Sequence, residues 1–222
     1  MTDITLRTET PDDYREVEHL TREAFWNVYG PGCAEHYLLH RMRQSPDFIS
    51  ALDIVAECGG RLVGSAACAC ARIEGDDGTM HRVVTLGPLS VLPAFQRRGI
   101  GRKLTDYVVC EAGRLGWPAL LLCGDPLLYA RYGFEPAARY GIRTADNKIT
   151  PALHVRLLAG SAPAELSGRY VESGIYEIDT GEVEAFDRHF PPKEKIADTS
   201  TQLRFREILM MQEDFVSDPP AQ

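Results

Sequence analysis

Glutamine, arginine and glycine residues follow one another between positions 96 and 101, in a spacing that could bind an anion. The segment reads Gln96, Arg97, Arg98, Gly99, Ile100 and Gly101. Because glycine has no Cβ atom, Gly99 and Gly101 allow the backbone to approach a ligand closely. The first N–H groups of a helix have no helical partner, and the helix dipole adds positive charge there. Such a loop in front of a helix would bind a phosphate or a similar anion.

A strand before the loop and a helix after it would position these residues. Residues 86–93 form an apolar run that ends at Pro93, which predicts a buried strand. After the loop, apolar residues recur at helical spacing, at Leu104, Val108, Ala112 and Leu115. Charged residues occupy the other faces, so an amphipathic helix is predicted to begin at the loop.

Two common phosphate-binding patterns do not fit this loop. A Walker loop ends in glycine, lysine and a hydroxyl residue, whereas Gly101 is followed by Arg102 and Lys103. A dinucleotide-binding loop needs a third glycine at the position of Leu104.

The remaining pattern, Gln96-x-x-Gly99-x-Gly101 after an apolar strand, resembles the pyrophosphate-binding loop of the GNAT N-acetyltransferase superfamily. The resemblance implies that acetyl-CoA is the cosubstrate. It implies a set of cofactor-binding residues, namely Leu89, Ser90, Val91, Gln96, Arg97, Arg98, Gly99, Ile100 and Gly101. The strand edge would pair with the pantetheine amides, and one N–H there could stabilise the oxyanion of the thioester.

A second signature begins at Tyr129 and ends in Gly133-Phe134. It resembles the family pattern Tyr-x-x-x-Gly-Phe, in which the tyrosine reaches the cofactor sulfur. The resemblance implies that Tyr129 is the catalytic acid that protonates or hydrogen-bonds the departing thiolate. The alternative is an aromatic residue on a helix surface.

The chain departs from the family pattern at two positions. Many members carry an asparagine shortly before the tyrosine, where this chain has Gly124-Asp125-Pro126. Some members carry a glutamate as general base in the strand before the loop, and residues 83–86 hold no carboxylate. The general base is left among Glu57, His81 and water.

The order of predicted elements over residues 1–160 matches the GNAT fold. The expected class is α/β, an acyl-CoA N-acyltransferase fold whose mixed, mostly antiparallel sheet is splayed at its centre and flanked by helices. Residues 161–222 are predicted to be a C-terminal extension, strand-like over Ser167–Ile178, packed on the core or on a second subunit in a possible homodimer. The extension resembles that of a bacterial subgroup of predicted, uncharacterised acetyltransferases.

Composition limits the classes of partner. The net charge of −8 argues against nucleic acid and anionic membranes, and no apolar run is long enough to span a membrane. No Cys-x-x-Cys pair occurs among the six cysteines and no signal peptide is evident, which predicts free thiols and a cytoplasmic location. His36 and His40 have a metal-binding spacing, but no third ligand is evident. They are expected on a polar helix face, and no metal is predicted.

The sequence therefore predicts an acetyl-CoA-dependent N-acetyltransferase. An amine of a small molecule or a protein would attack the thioester directly. The alternative is a non-catalytic GNAT-like module that senses CoA, and Tyr129 favours the enzyme because a sensor needs no thiol acid. Transfer of a longer acyl chain is a third interpretation. The acceptor pocket is expected between the Trp26–Gly32 loop, the hairpin of residues 57–72 and the C-terminal extension.

Overall fold

The computed structural model describes residues 4–158 and 166–216, which form an α/β structure around one large sheet. The strands are β1 Ile4–Thr8, β2 Ile54–Cys58, β3 Arg61–Glu74, β4 Met80–Val91, β5 Ala119–Cys123, β6 Glu135–Pro136, β7 Ile142–Thr144, β8 Lys148–Ile149, β9 Leu153–Leu157, β10 Gly168–Val171 and β11 Glu213–Asp214. The helices are α1 Tyr14–Phe25, α2 Glu35–Met42, α3 Ile100–Arg114, α4 Pro126–Tyr129, α5 Thr180–Asp187 and α6 Ser200–Met210.

The large sheet has the strand order β1-β2-β3-β4-β5-β9-β6. Neighbouring strands in this order run antiparallel except β4 and β5, which are parallel. Strand β10 joins the sheet by pairing antiparallel with β3 and parallel with β7. Strands β8 and β11 form a separate ribbon. A mixed, mostly antiparallel sheet flanked by helices was expected, and this fold class is confirmed.

Local sequence signals set several element ends. The side chain of Asp13 accepts hydrogen bonds from the N–H and the hydroxyl of Thr10, at 2.8 and 2.7 Å, and so fixes the turn that leads into α1. Asp125 accepts from the Leu127 N–H at 2.8 Å and caps α4. The strand-like stretch predicted over Ser167–Ile178 is shorter than expected, because the Ser173 hydroxyl accepts from a following N–H and turns the chain after β10.

The sheet opens between β4 and β5. These two strands pair in parallel only at Val84 with Leu120 and at Thr85 with Leu121. Beyond that point β4 continues along β3 as far as Val91, while β5 continues along β9. Among the described residues no strand fills the gap, so the edge of β4 after Thr85 is free of a strand partner.

Helices α1 and α3 pack on opposite faces of this sheet. The hydroxyl of Ser90 on β4 donates to that of Thr21 on α1 at 3.0 Å. A Cβ atom on Gly64 of β3 would lie 3.1 Å from Leu104 of α3. Ser90 pairs with Ser65, the residue next to Gly64, and consecutive strand residues face opposite sides. Gly64 therefore lets α3 approach the sheet closely.

The C-terminal extension packs on the core. Tyr170 of β10 pairs with Ile73 of β3, and Phe190 and Ile208 are buried. Packing on the core is one of the two arrangements predicted for the extension. The domain boundary predicted at residue 160 lies outside the described residues. Within residues 4–158 and 166–216, no helix is both long enough and apolar enough to cross a membrane.

Candidate active site

The loop between β4 and α3 exposes backbone groups beside the open edge of the sheet. Gly99 has a φ of +81° and caps α3, and Arg97 has a φ of +60°. These left-handed conformations turn the chain sharply, and glycine adopts them without strain. The first-turn N–H groups of α3 lack helical acceptors, which suits them to an anion.

The predicted loop residues differ in their contacts. Gln96 donates its side-chain N–H to the Val91 carbonyl at 3.1 Å, and so ties the loop to the end of β4. The Arg98 guanidinium lies 5.2 Å from the ring centroid of Phe95. Within the described part of the chain, Arg97 and Arg98 form no ion pair with a carboxylate. Both arginines are exposed and remain available to an anionic ligand.

Gly101 is buried against an aromatic side chain. A Cβ atom added at Gly101 would lie 2.9 Å from the Tyr132 hydroxyl oxygen. Glycine is thus needed here for the contact between α3 and the segment after α4. From the sequence, glycine was expected here because a side chain would block the approach of a phosphate to the backbone. The contact with Tyr132 was not predicted.

The open edge of β4 offers backbone groups at alternate residues. The Leu92 N–H donates to the Val63 carbonyl on β3 at 3.0 Å. Because antiparallel strands alternate the direction of their backbone groups, Leu89 and Val91 direct theirs away from β3, towards the opening. Ser90 directs its backbone groups to β3 and is fully buried. Of the three predicted strand residues, Leu89 and Val91 therefore face the gap.

Tyr129 ends α4 and lies against the end of β5. A Cβ atom on Gly124 would overlap its ring, and the rings of Tyr132 and Phe134 meet it edge-on at 6.1 and 6.0 Å. Burial raises the pKa of the Tyr129 phenol well above its usual value. No hydrogen bond to this hydroxyl is formed by the residues described. The phenol stays protonated and can donate a proton or a hydrogen bond.

The two side chains considered as general base lie away from the opening. Glu57 is on β2, two strands from the gap, and Arg7 donates to its carboxylate at 2.7 Å. His81 is near the start of β4, at the end opposite the loop. The strands part after Thr85, four residues along β4 from His81, which is about 13 Å along an extended strand. Glu57 is thus engaged in an ion pair, and His81 lies before the point where the strands part.

A cluster from the extension occupies the base of the opening, and sequence reasoning missed it. The Tyr170 and Thr85 hydroxyls are 2.6 Å apart, and Tyr170 donates to the Glu172 carboxylate at 3.2 Å. Tyr176 donates to the Gly87 carbonyl at 2.9 Å. Thr85 is the last residue of β4 that pairs with β5, so these side chains mark the point where the strands part.

Cys123 ends β5, and it is an exposed residue with a free thiol.

A family model described as the acetyltransferase (GNAT) domain matches residues 51–136. These residues include the open β4–β5 pair and the loop with its helix. This segment, 86 of the 222 residues, is similar to the GNAT acetyltransferase domain. Among curated proteins, the uncharacterised N-acetyltransferase YhbS of Escherichia coli is 28% identical over 163 residues, 73% of this chain and 92% of YhbS.

Solved GNAT structures extend the similarity beyond the matched segment. A crystal structure of YhbS from Escherichia coli in complex with CoA superposes with a TM-score of 0.71 at 26% identity, covering 80% of this chain and 94% of that one. A GNAT acetyltransferase from Brucella melitensis in complex with acetyl-CoA has a TM-score of 0.62 at 25% identity, covering 79% of this chain and 99% of its own. The first structure holds CoA, and the second holds acetyl-CoA, which is the cosubstrate that the loop resemblance implied.

A cleft of about 240 Å³ lies between the α1–α2 loop and α5. Its lining includes Trp26, Tyr29 and Glu35 from the first half of the chain, and Asp187 and Lys195 from the extension. The acceptor pocket was predicted between this loop, the extension and the hairpin of residues 57–72. The first two form the cleft, whereas the hairpin supplies none of its lining.

The two histidines with metal-binding spacing have other partners. His36 is buried between the rings of Phe186 and Phe190, so its predicted position on a polar face is wrong. Its Nε2 atom lies 3.2 Å from the Asp187 carboxylate of α5, and His40 pairs with Glu18 at 3.0 Å. Among the residues that the structure describes, no group of three or more potential metal ligands comes together.

Proposed function

We propose that this protein is an N-acetyltransferase that moves the acetyl group of acetyl-CoA to a primary amine by direct attack on the thioester. The observation that carries the proposal is the open edge of β4, which runs from Thr85 to the N-terminus of α3. This geometry offers an extended chain a strand edge at one end and an anion a helix start at the other. Pantetheine and pyrophosphate have that arrangement within CoA.

Each part of the site has a proposed task. The N–H groups of residues 97–101 bind the pyrophosphate, with Arg97 and Arg98 adding positive charge. Leu89 and Val91 pair with the pantetheine amides, and one of their N–H groups stabilises the oxyanion. Tyr129 protonates the departing thiolate.

The acceptor is an amine of a small molecule or a protein, and the proposed route of entry is the face of the sheet that the extension covers. A net charge of −8 favours a cationic acceptor. We also propose a cytoplasmic enzyme, because all six cysteines are free. A homodimer is a further proposal, supported by exposed apolar side chains of α6, including Leu203 and Met210.

Amine-dependent release of thiol tests the proposal. The protein is incubated with acetyl-CoA and, in separate reactions, polyamines, amino acids, aminoglycosides and peptides. We expect thiol release with at least one class, together with a product whose mass has increased by one acetyl group. Tight acetyl-CoA binding without turnover on any acceptor would instead support the sensor interpretation.

A further inference from the structure

Glu172 is a carboxylate at the base of the opening that has no cationic partner among the described residues. It directly follows β10, and its carboxylate accepts a hydrogen bond from the Tyr170 hydroxyl at 3.2 Å. That hydroxyl also contacts Thr85, so Glu172 is two hydrogen bonds from the last residue of β4 that pairs with β5. Glu9, by contrast, is a buried carboxylate that is paired with Arg43 at 2.6 Å.

Glu172 and Tyr129 approach the opening from opposite faces of the sheet. Thr85 and Leu121 are partners and share a face, which is the face that Tyr170 reaches. The next residue of β5 pairs with His154, so His154 belongs to the other face. The Tyr129 ring lies 6.0 Å from that of His154. A thioester in the gap would have the phenol on one side and the carboxylate on the other.

The Tyr170 phenol, which donates to Glu172, is neutral at physiological pH because burial raises its pKa well above the usual value. Burial also raises the pKa of the Tyr176 phenol in the same segment. Burial also raises the pKa of Glu172 above its usual value, while the Tyr170 hydrogen bond opposes this rise. An ammonium group arriving here would be the only positive charge beside the carboxylate among the described residues.

We propose that Glu172 binds the acceptor as an ammonium ion and takes its proton, which makes it the general base of the reaction. This inference rests on the proposed acetyltransferase function. It also assigns the C-terminal extension a direct part in catalysis. A carboxylate supplied from outside the matched GNAT segment compensates for the lack of one in residues 83–86.

The proton balance of the step is complete with these residues. The ammonium carries three protons, and the product amide keeps one. Glu172 takes the first, and the free amine then forms the C–N bond with the thioester carbon. As the C–S bond breaks, Tyr129 gives its proton to sulfur and is reprotonated by the second proton leaving nitrogen. Glu172 releases its proton to solvent, so the products are the amide, CoA thiol and one proton.

Glu35 is the competing carboxylate. Burial raises its pKa, and it lines the cleft beside Tyr29. Its carboxylate, however, accepts from the Ala34 N–H at 3.0 Å and from the Cys33 thiol at 3.3 Å, which ties it to the start of α2. We therefore assign Glu35 a structural task and use it as a comparison in the test.

The test compares pH profiles of the full-length chain with an acceptor on which the wild type turns over. Glu172→Gln should lower kcat/KM at neutral pH by about 10²–10⁴-fold, the range of general acid–base catalysis. The wild type should show a plateau between the pKa of Glu172 and that of the amine. The variant should instead rise tenfold per pH unit up to the pKa of the amine, because only the free amine then reacts. Glu172→Asp should recover part of the loss.

Matched variants separate catalysis from folding. Glu177→Gln removes an exposed carboxylate of the same segment and should change nothing. Acetyl-CoA affinity and Tm should be equal in wild type, Glu177→Gln and Glu172→Gln. If Glu172→Gln does not fold, Tyr170→Phe provides the test, because loss of its hydrogen bond should move the acidic limb to higher pH.

The outcomes test the proposed acetyltransferase function and the proposed role of Glu172 separately. A wild type that acetylates no amine overturns the proposed function, and the role of Glu172 falls with it. A wild type that turns over while Glu172→Gln keeps its rate and its plateau overturns the role of Glu172 alone. If Glu35→Gln loses the plateau and Glu172→Gln keeps it, the role of Glu172 is also overturned. Glu35 is then the general base.

Discussion

At the scale of single residues, Tyr129 and Glu172 are held by different kinds of contact. The Tyr129 ring is fixed by packing against Gly124 and Phe134, and its hydroxyl adds nothing to that packing. Glu172 is held through the Tyr170 hydroxyl. Replacing Tyr129 by phenylalanine therefore removes the proposed proton donor and leaves the packing of the ring unchanged. The same replacement at Tyr170 removes the hydrogen bond that positions Glu172.

Tyr129→Phe should lower kcat by up to about 10²–10⁴-fold, because the thiolate then leaves without a proton donor. The acetyl-CoA affinity should barely change, since the hydroxyl acts on charge that develops in the transition state. Steady-state kinetics with an identified acceptor and calorimetric titration measure the two quantities. Tyr132→Phe is the control and should change kcat only slightly. The reverse order of effects would show that the active-site helix has another register.

Asp53 makes a pH-dependent contribution to stability. It is buried beside Glu9, and burial and this neighbour raise its pKa above the usual value. The folded state therefore keeps a proton that the unfolded state releases above about pH 4. The stabilising effect of this proton is complete below that pH and is lost as the pH rises towards the folded pKa.

Asp53→Asn mimics the protonated acid at every pH. Relative to the wild type, the free energy of unfolding of the variant should therefore increase between pH 5 and pH 8. Urea denaturation at both pH values measures the difference. A difference that stays constant or falls with pH would show that Asp53 is ionised in the folded protein.

At the scale of elements, α3 meets the segment after α4 through Gly101 and Tyr132. Gly101→Ala would place a Cβ atom 2.9 Å from the Tyr132 hydroxyl oxygen and 3.6 Å from the carbon that carries it. We expect Gly101→Ala to lower both stability and acetyl-CoA affinity. Because Tyr132→Phe removes the closest atom, Gly101→Ala should lower stability and acetyl-CoA affinity less when it is combined with Tyr132→Phe.

A double-mutant cycle measures this coupling, which should lie in the range of about 0.5–3 kcal/mol for residues in contact. Denaturation of the four proteins gives the stability term, and calorimetric titration gives the affinity term. Additive effects would place the requirement for glycine in the ligand-binding space, as the sequence alone suggested, and would contradict the contact with Tyr132.

The boundaries of several elements could be predicted from local sequence signals, whereas the cluster at the base of the opening could not. The strand before Pro93, the helix after Gly99 and the cap at Asp125 were predicted because neighbouring residues determine them. Glu172 reaches the site through Tyr170 and Thr85, which are 85 residues apart in the chain. No periodicity or motif encodes such a contact.

Expectations drawn from one element at a time have the same weakness. Glu57, His81 and water were left open as the general base, and the fold pairs Glu57 with Arg7 and places His81 before the point where β4 and β5 part. The polar-face position of His36 was inferred from α2 alone. In the fold, α5 covers that face with Phe186. Long-range pairing decides which face of an element is buried.

At the scale of the whole molecule, the extension completes the core. Asp187 of α5 accepts from the buried Arg22 guanidinium at 2.6 Å, and Tyr170 and Phe190 are almost fully buried. Loss of the extension would remove the carboxylate that pairs with Arg22 and would expose apolar surface.

Truncation after Ala159 should therefore give an insoluble or aggregated protein. Expression tests followed by gel filtration check this outcome, with the full-length chain as the control. A soluble, monomeric and fully active truncation would contradict the packing of the extension and the role of Glu172 together.

A crystal structure of the full-length protein with CoA bound is the decisive test of the proposed site. We expect the pyrophosphate against the N–H groups of residues 97–101 and the pantetheine along Leu89 and Val91. The sulfur should lie within hydrogen-bond reach of the Tyr129 hydroxyl. CoA bound outside the β4–β5 opening, or with its sulfur far from Tyr129, would contradict the proposed site and mechanism.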